Sequence, residues 1–312
     1  MRAALACLLL LAAAPPASAA LAYVTNQGDD SVSVVDTATG AVVQTVGVGA
    51  KPAGVAVAAD GQHVYVTNPE GRSISILERR DGRLAPVAEV PAGAGPLGVA
   101  VSPRDGRVFV ADWYGDTVAV LDAAGSGLGT VKVGQSPSGL AIDPAGTRLY
   151  VANRESDTLS VIDLGDLHTL ATVSVGHAPF GVTIQGGRVF VANVQSGDVS
   201  VVDTGTLAET RRLKVGAFPY AVAVAPDGSR ILVTNQHGGT LSAFDGAFAP
   251  LPDIPVGEYP EGIAMTADGA RAFVAVWMDN RLAEIDVATG RVLRKIKVGE
   301  SPRAFGAFLA PP

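Results

Sequence analysis

One short motif returns seven times along this chain of 312 residues, and that periodicity limits the fold more than any other feature. Tyr23-Val24-Thr25-Asn26 is followed by related segments opening at Tyr65, Phe109, Tyr150, Phe190, Leu232 and Phe273, at intervals of 42, 44, 41, 40, 42 and 41 residues. A second motif interleaves with the first. Val48 opens VGAKPAGVAV, and its counterparts open at Ala92, Val133, Val175, Val215, Val256 and Val298. A repeat of this length is one supersecondary unit that buries its apolar surface only against its neighbours, so the copies must stack in a row or close into a ring.

Each unit holds four short apolar runs, which in the second copy are residues 54–58, 64–67, 73–78 and 85–92. They are too short for helices, rich in Val and Ile, and separated by turn residues, so they read as strands. Asp60-Gly61, Asp105-Gly106, Asp227-Gly228 and Asp268-Gly269 mark tight hairpins between the first two strands of their units. Four antiparallel strands per unit make a propeller blade. The chain opens on a second-strand motif at residues 23–26 and finishes on a first-strand motif at residues 303–308. That arrangement predicts closure by the last strand joining the first three, which removes the open edges a solenoid has to cap. The expected fold is all-β, a seven-bladed propeller in one domain spanning residues 20–312.

Residues 1–19 read as a secretory signal, with Arg2 as the positive start, an apolar run at 4–14 and a small-residue cleavage site at Ala17-Ser18-Ala19. Pro15-Pro16 ends the run before it reaches bilayer length, so no membrane span is expected. Cys7 is the chain's one cysteine, and its removal with the signal excludes disulfides and thiolate metal sites from the rest. Stability then rests on a large apolar core, consistent with a 48% hydrophobic composition. A formal charge of −7, or −8 without Arg2, repels phosphate backbones and acidic membrane surfaces, so nucleic acid is a poor partner. The expected location is periplasmic or cell-surface.

These motifs resemble the YVTN family of β-propeller repeat proteins. YVTN stands intact at residues 23–26 and 65–68, and the VGxxPxGVAV segment and the SVSVVD strand at residues 31–36 accompany it. The likeness extends over residues 20–312. It implies an exported seven-bladed propeller, commonly without an assigned role, with relatives among archaeal surface-layer and bacterial periplasmic proteins. The motif residues serve packing and turns, so they specify the fold and leave the function open.

Most repeated positions have a scaffold reading. Val, Ile and aromatic positions pack blade against blade, and the Gly after each Pro leaves backbone room near the axis. The polar residue closing each second strand (Asn26, Asn68, Asp112, Asn153, Asn193 and Asn235) is expected to bond its own turn. Positions where copies differ are more informative. The loop leading into the first strand and the loop between the second and third strands emerge on one face, where a rigid ring holds variable loops around its channel.

The lead-in loops at residues 50–54, 94–98 and 135–139 are mostly Ala, Gly and Ser, with Lys51 their one charge. The next four present His177 and Phe180, then Phe218 and Tyr220, then Glu258, Tyr259 and Glu261, then Glu300 and Arg303. The mid-blade loops add Trp113 and Trp277 at equivalent positions, with Tyr114, Arg154, His237, Met278 and Arg281. Aromatic rings supply buried area at low entropy cost and charges orient a partner, so this face is the expected contact surface for a protein or small-molecule partner of a monomeric scaffold. The bland reading of the same rings is a plug at the channel mouth.

No metal or cofactor is predicted. His177 and His237 sit in different loop types, and a metal would need Glu258 or Glu261 as well. A ring of acids, Asp29, Asp30, Glu70, Asp116, Asp157, Asp198 and Asp279, is a conceivable calcium site, although acids before a strand more often cap turns. His63 and His168 fall on the opposite face. No nucleophile elbow, zinc helix, phosphate loop or dinucleotide fingerprint occurs. Glu258 and Glu261 are the one candidate pair of catalytic carboxylates. Two alternatives to a non-catalytic scaffold therefore stand: a lactone hydrolase of the propeller type, and a carrier for a periplasmic redox cofactor or metal.

Overall fold

The computed structural model describes residues 20–310, and the signal segment expected at 1–19 lies outside them. Six sheets of four antiparallel strands and one of three follow one another around a ring, each in simple up-and-down order. Blade 2 is typical, with strands Val55–Val57, His63–Asn68, Ser73–Arg80 and Arg83–Pro91. No helix among the described residues is long and apolar enough to cross a membrane.

The three-stranded sheet is blade 1, formed by Leu21–Asn26, Ser31–Asp36 and Ala41–Gly47. Its missing inner strand is supplied by the other end of the chain. Arg303 N donates to Thr25 O (2.9 Å), Tyr23 N to Phe308 O (2.9 Å) and Ala310 N to Leu21 O (2.8 Å). Antiparallel bridges pair Ala22 with Leu309 and Asn26 with Pro302, so the tail closes the ring as the repeat phase requires. The closing segment is less regular than other inner strands, because its backbone also turns so that the Phe305 and Ala307 carbonyls accept Val55 N and Val57 N of blade 2.

The four-residue motif has a distinct physical task at each position. Its aromatic or aliphatic lead residue lies between blades, and Tyr23, Tyr65, Phe109, Tyr150, Phe190, Leu232 and Phe273 are all buried. At Thr25 and Thr67 the third residue links blades, whereas Thr234 bonds Ala221 of its own blade. Thr67 Oγ1 accepts Gly54 N of its own blade (2.8 Å) and donates to Leu97 O of the next (2.6 Å). The terminal Asn reaches further than its own turn, which corrects the sequence expectation. Asn26 Nδ2 donates to Ser31 and Ser33 on the third strand, while Asn26 Oδ1 accepts Gly299 N from the lead-in loop. Asn153 and Asn235 repeat the pattern, and Asp112 accepts from Ala94 N and Gly95 N. Asn26, Asn153 and Asn235 thus fasten a lead-in loop to the second and third strands of their own blades, and Asp112 fastens its loop to the second strand, so these loops are rigid at their base.

Burial falls outward within each blade. Second strands such as Leu21–Asn26 are buried along their whole length, whereas fourth strands such as Ala208–Lys214 retain one buried residue. A second strand has a blade on either side, and a fourth strand is the rim.

The seam between blades 7 and 1 carries an additional clamp. Glu284 stands where other blades place Val, Ile or Ala, and it is buried at 4% exposure. Arg294 Nε bonds its carboxylate, and Arg294 reaches across the seam to Thr37 O (2.9 Å) and Ala38 O (3.3 Å). Arg271 lies 3.4 Å from the other Glu284 oxygen. Breaking a buried pair costs several kcal/mol when the survivor is left alone, and Arg271 limits the loss here to about 2 kcal/mol. Arg294→Leu should therefore lower Tm by about 5 °C in thermal circular dichroism. The double variant Glu284→Leu with Arg294→Leu should recover most of it, because an apolar pair suits this interface.

Candidate functional site

Lead-in loops place their side chains through an unusual backbone. In six of the seven lead-in loops the residue before the Pro adopts a left-handed conformation, as at Lys51 (φ 54), Phe218 (φ 55) and Tyr259 (φ 56). For a bulky residue this geometry is strained and persists only when neighbours hold it. Gln236 N bonds Phe218 O and Trp277 N bonds Tyr259 O, both at 3.0 Å. In other blades an acidic or amide side chain does the holding: Asp30 accepts Lys51 N, Asp116 accepts Ser136 N, Asp157 accepts Ala178 N and Asn280 accepts Ser301 N. The acids weighed as a calcium ring are thus loop caps in these blades. Among the described residues no group of three or more His, Cys, Asp or Glu is placed to hold a metal ion.

The predicted face residues divide into three layers. A chain of rings, exposed from Phe218 to Tyr259 and half-buried at Trp277, crosses blades 6 and 7: Phe218 stacks on His237 (3.8 Å, 21°), His237 meets Tyr259 (5.3 Å), and Tyr259 meets Trp277 (6.1 Å). On the other side of the mouth Trp113 is half-buried beneath Arg154, whose guanidinium lies 5.8 Å from the ring. The middle layer is sunk into the mouth. Phe180 and Tyr220 are 6% and 4% exposed, and they pack on each other (4.4 Å) and on Phe305 (4.9 and 5.4 Å). For these two the plug reading holds, which corrects their expected place on the open face. Beneath the plug runs a channel of about 400 Å³, lined by first-strand residues such as Gly98, Leu140 and Ala223 and reaching Pro226 and Ala267 at the opposite hairpin turns.

The third layer is polar. Arg303 Nε donates to Glu261 Oε2 (2.7 Å), Arg303 Nη2 donates to Tyr220 Oη (2.5 Å), and Gln236 Nε2 donates to Glu261 Oε1 (3.0 Å). Tyr220, Glu261 and Arg303 occupy the same position in blades 6, 7 and 1, so three successive first strands bring the cluster together. Burial pushes the Glu261 carboxyl above the usual carboxylate range, against the pull of Arg303. Burial likewise pushes the Tyr220 phenol up. Trp277 Nε1 is buried without a hydrogen-bond partner among the described residues.

Other candidates stay apart. His177 is exposed and bonded to Asp157 (2.7 Å), not directed at His237. Glu258 is exposed while Glu261 is sealed, so the two carboxylates do not form a pair. Tyr114 stands 76% exposed and Met278 53%. Arg281 makes no side-chain hydrogen bond or ion pair with described residues. Two participants were missed from the sequence. Phe305 occupies a position that is aliphatic in the other six copies, and Gln236 sits where Trp113 and Trp277 sit, so copy-to-copy comparison held a signal for both.

Residues 17–130, just over a third of the chain, match the family described as lactonase, 7-bladed beta-propeller. The ring has seven blades, as that family's description has. No curated protein sequence matches the chain. Among solved structures, a functionally unknown protein from Desulfotomaculum acetoxidans is similar at TM-score 0.79 and 16% identity, over 92% of this chain and 99% of that one. A putative 6-phosphogluconolactonase from Bacteroides uniformis is similar at TM-score 0.78 and 18% identity, over 92% and 98%. Hydrazine synthase from Kuenenia stuttgartiensis follows at TM-score 0.71 and 20% identity, over 80% and 87%. At these identities the likenesses concern the fold.

Proposed function

We propose that this protein takes a small organic ligand on its loop face and acts on it as a lactone hydrolase of the propeller type. The observation that carries the reading is the Arg303–Glu261 pair fixed at the channel mouth and overlooked by aromatic rings, in a chain whose first third resembles lactonase propellers. Opening a lactone requires a donor for the carbonyl oxygen as it gains negative charge, a group that handles the proton of the attacking water, and an apolar wall for the ring. Arg303 is the donor, Glu261 is the carboxyl, and Trp113, Tyr259 and Trp277 are the wall. YVTN-type export through residues 1–19, a single domain over 20–312 and a periplasmic or cell-surface location belong to the same reading.

Non-catalytic binding of a small-molecule or protein partner at this face is the second reading. It is favoured by the engagement of both Glu261 oxygens by Arg303 and Gln236, which ties this carboxyl into the scaffold. One assay separates the two. The purified chain is offered γ-butyrolactone, δ-valerolactone and gluconolactone, with hydrolysis followed by proton release. Turnover above buffer is expected, and Arg303→Met or Glu261→Gln should each lower kcat/KM by about 100-fold. Trp277→Ala should raise KM with the melting temperature kept. Binding without turnover favours the second reading, and neither binding nor turnover sinks the assignment of this face.

A further inference from the structure

We propose that the channel mouth is a binding seat for a small carboxylate, with Arg303 as the group that recognises it. The inference deepens the small-ligand reading by naming the ligand's charge and the side chain that reads it. Two of the three guanidinium nitrogens are committed, Nε to Glu261 and Nη2 to Tyr220. Nη1 has no hydrogen-bond partner among the described residues and is not among the buried unsatisfied atoms. The Arg303 side chain is 19% exposed, against 6% for its partner Glu261. One arm of a rigid fork is therefore presented to the face while the rest is anchored by three blades.

Such an arginine is pre-organised, and little side-chain entropy is left to lose when a ligand arrives. A planar guanidinium donates strongly to carboxylates, and the bond is charge-assisted. The surroundings select a single negative charge. Glu261 already offsets part of the Arg303 charge, so a doubly charged phosphate would meet one cation and one anion, whereas a monocarboxylate needs only the free arm. Phe180, Tyr220 and Phe305 keep the floor of the seat apolar, which lowers the local dielectric and strengthens the contact.

The test uses acetate, benzoate and gluconate as probes of the full chain, with glucose as the uncharged control, in calorimetry at neutral pH. At least one carboxylate should bind while glucose does not. Arg303→Met should weaken it about tenfold or more, and Arg303→Lys should give an intermediate loss, since the charge stays and the fork goes. Glu261→Gln is the decisive variant. It keeps an oxygen for Arg303 Nε and removes the competing negative charge, so affinity should be equal or tighter, by up to about tenfold. A purely structural pair predicts the opposite sign. The inference is overturned if no carboxylate binds, if Arg303→Met binds as well as the parent, or if Glu261→Gln binds more weakly. Carboxylate binding without lactone turnover would leave this seat standing and remove the hydrolase reading. Turnover without carboxylate binding would do the reverse.

Discussion

Removal of residues 299–312 is expected to turn this closed ring into an aggregating chain. The segment contributes the inner strand of blade 1, and its loss leaves the backbone groups of Leu21–Asn26 without the bonds they make to Arg303, Phe308 and Ala310. Phe305, at 5% exposure, and the fully buried Phe308 go with it, and burial of each side chain is worth about 2 kcal/mol. A domain's net stability is about 5–15 kcal/mol, so two aromatic rings and a run of backbone bonds are a large share. The consequence is more than a lower melting point, because an unpaired, apolar strand edge templates association with other chains. Size-exclusion chromatography and thermal circular dichroism of the truncated chain check this. A monomeric product with an unchanged Tm would contradict ring closure by the tail.

Gly54→Val should cost about 3 kcal/mol or more. A Cβ at this position meets the Leu97 carbonyl oxygen of the next blade closer than van der Waals contact permits, and it lies 2.8 Å from Thr67 Oγ1. Neither neighbour can retreat. The carbonyl belongs to an adjacent first strand, and the hydroxyl is fixed by its bonds to Gly54 N and Leu97 O. Forced overpacking at a rigid contact typically costs 1–3 kcal/mol, and loss of the Thr67 bridge adds to it. The same position holds Ala221 in blade 6 and Ala304 in blade 1, both buried, so the ring spacing is not uniform. Ala221→Gly should accordingly shift stability by at most about 1 kcal/mol. Urea unfolding of the three proteins measures the contrast, and an equal midpoint for Gly54→Val and the parent would show that the inner strands can spread.

The scaffold was legible in the chain because most repeated residues do the same job from blade to blade. The aromatic lead positions, the glycines against the neighbouring carbonyl and the phase offset between the chain's two ends all follow from local pattern and appear as expected. The candidate site was legible only in part. Copy-to-copy differences pointed to Trp277, Tyr259, Glu261 and Arg303, and these converge on one face. The same differences did not reveal how deep each side chain sits. Phe180 and Arg303 share a blade position, yet one lies in a buried plug and the other keeps an arm toward the solvent. His177 and His237 both lie on loops of that face, but one bonds Asp157 and the other stacks between Phe218 and Tyr259.

By itself the sequence determined the strand order, the number of blades and the closure of the ring, since these depend on spacing along the chain and on interactions between neighbours in a repeat. Tertiary structure alone decided which side chains from blades 6, 7 and 1 meet at the axis, that Glu258 and Glu261 do not cooperate, and that Phe180, Tyr220 and Phe305 pack together above the channel. Those outcomes depend on curvature and on side-chain directions summed around a closed ring. Residues about 40 to 80 positions apart become hydrogen-bonded neighbours there, and no one-dimensional pattern encodes that distance.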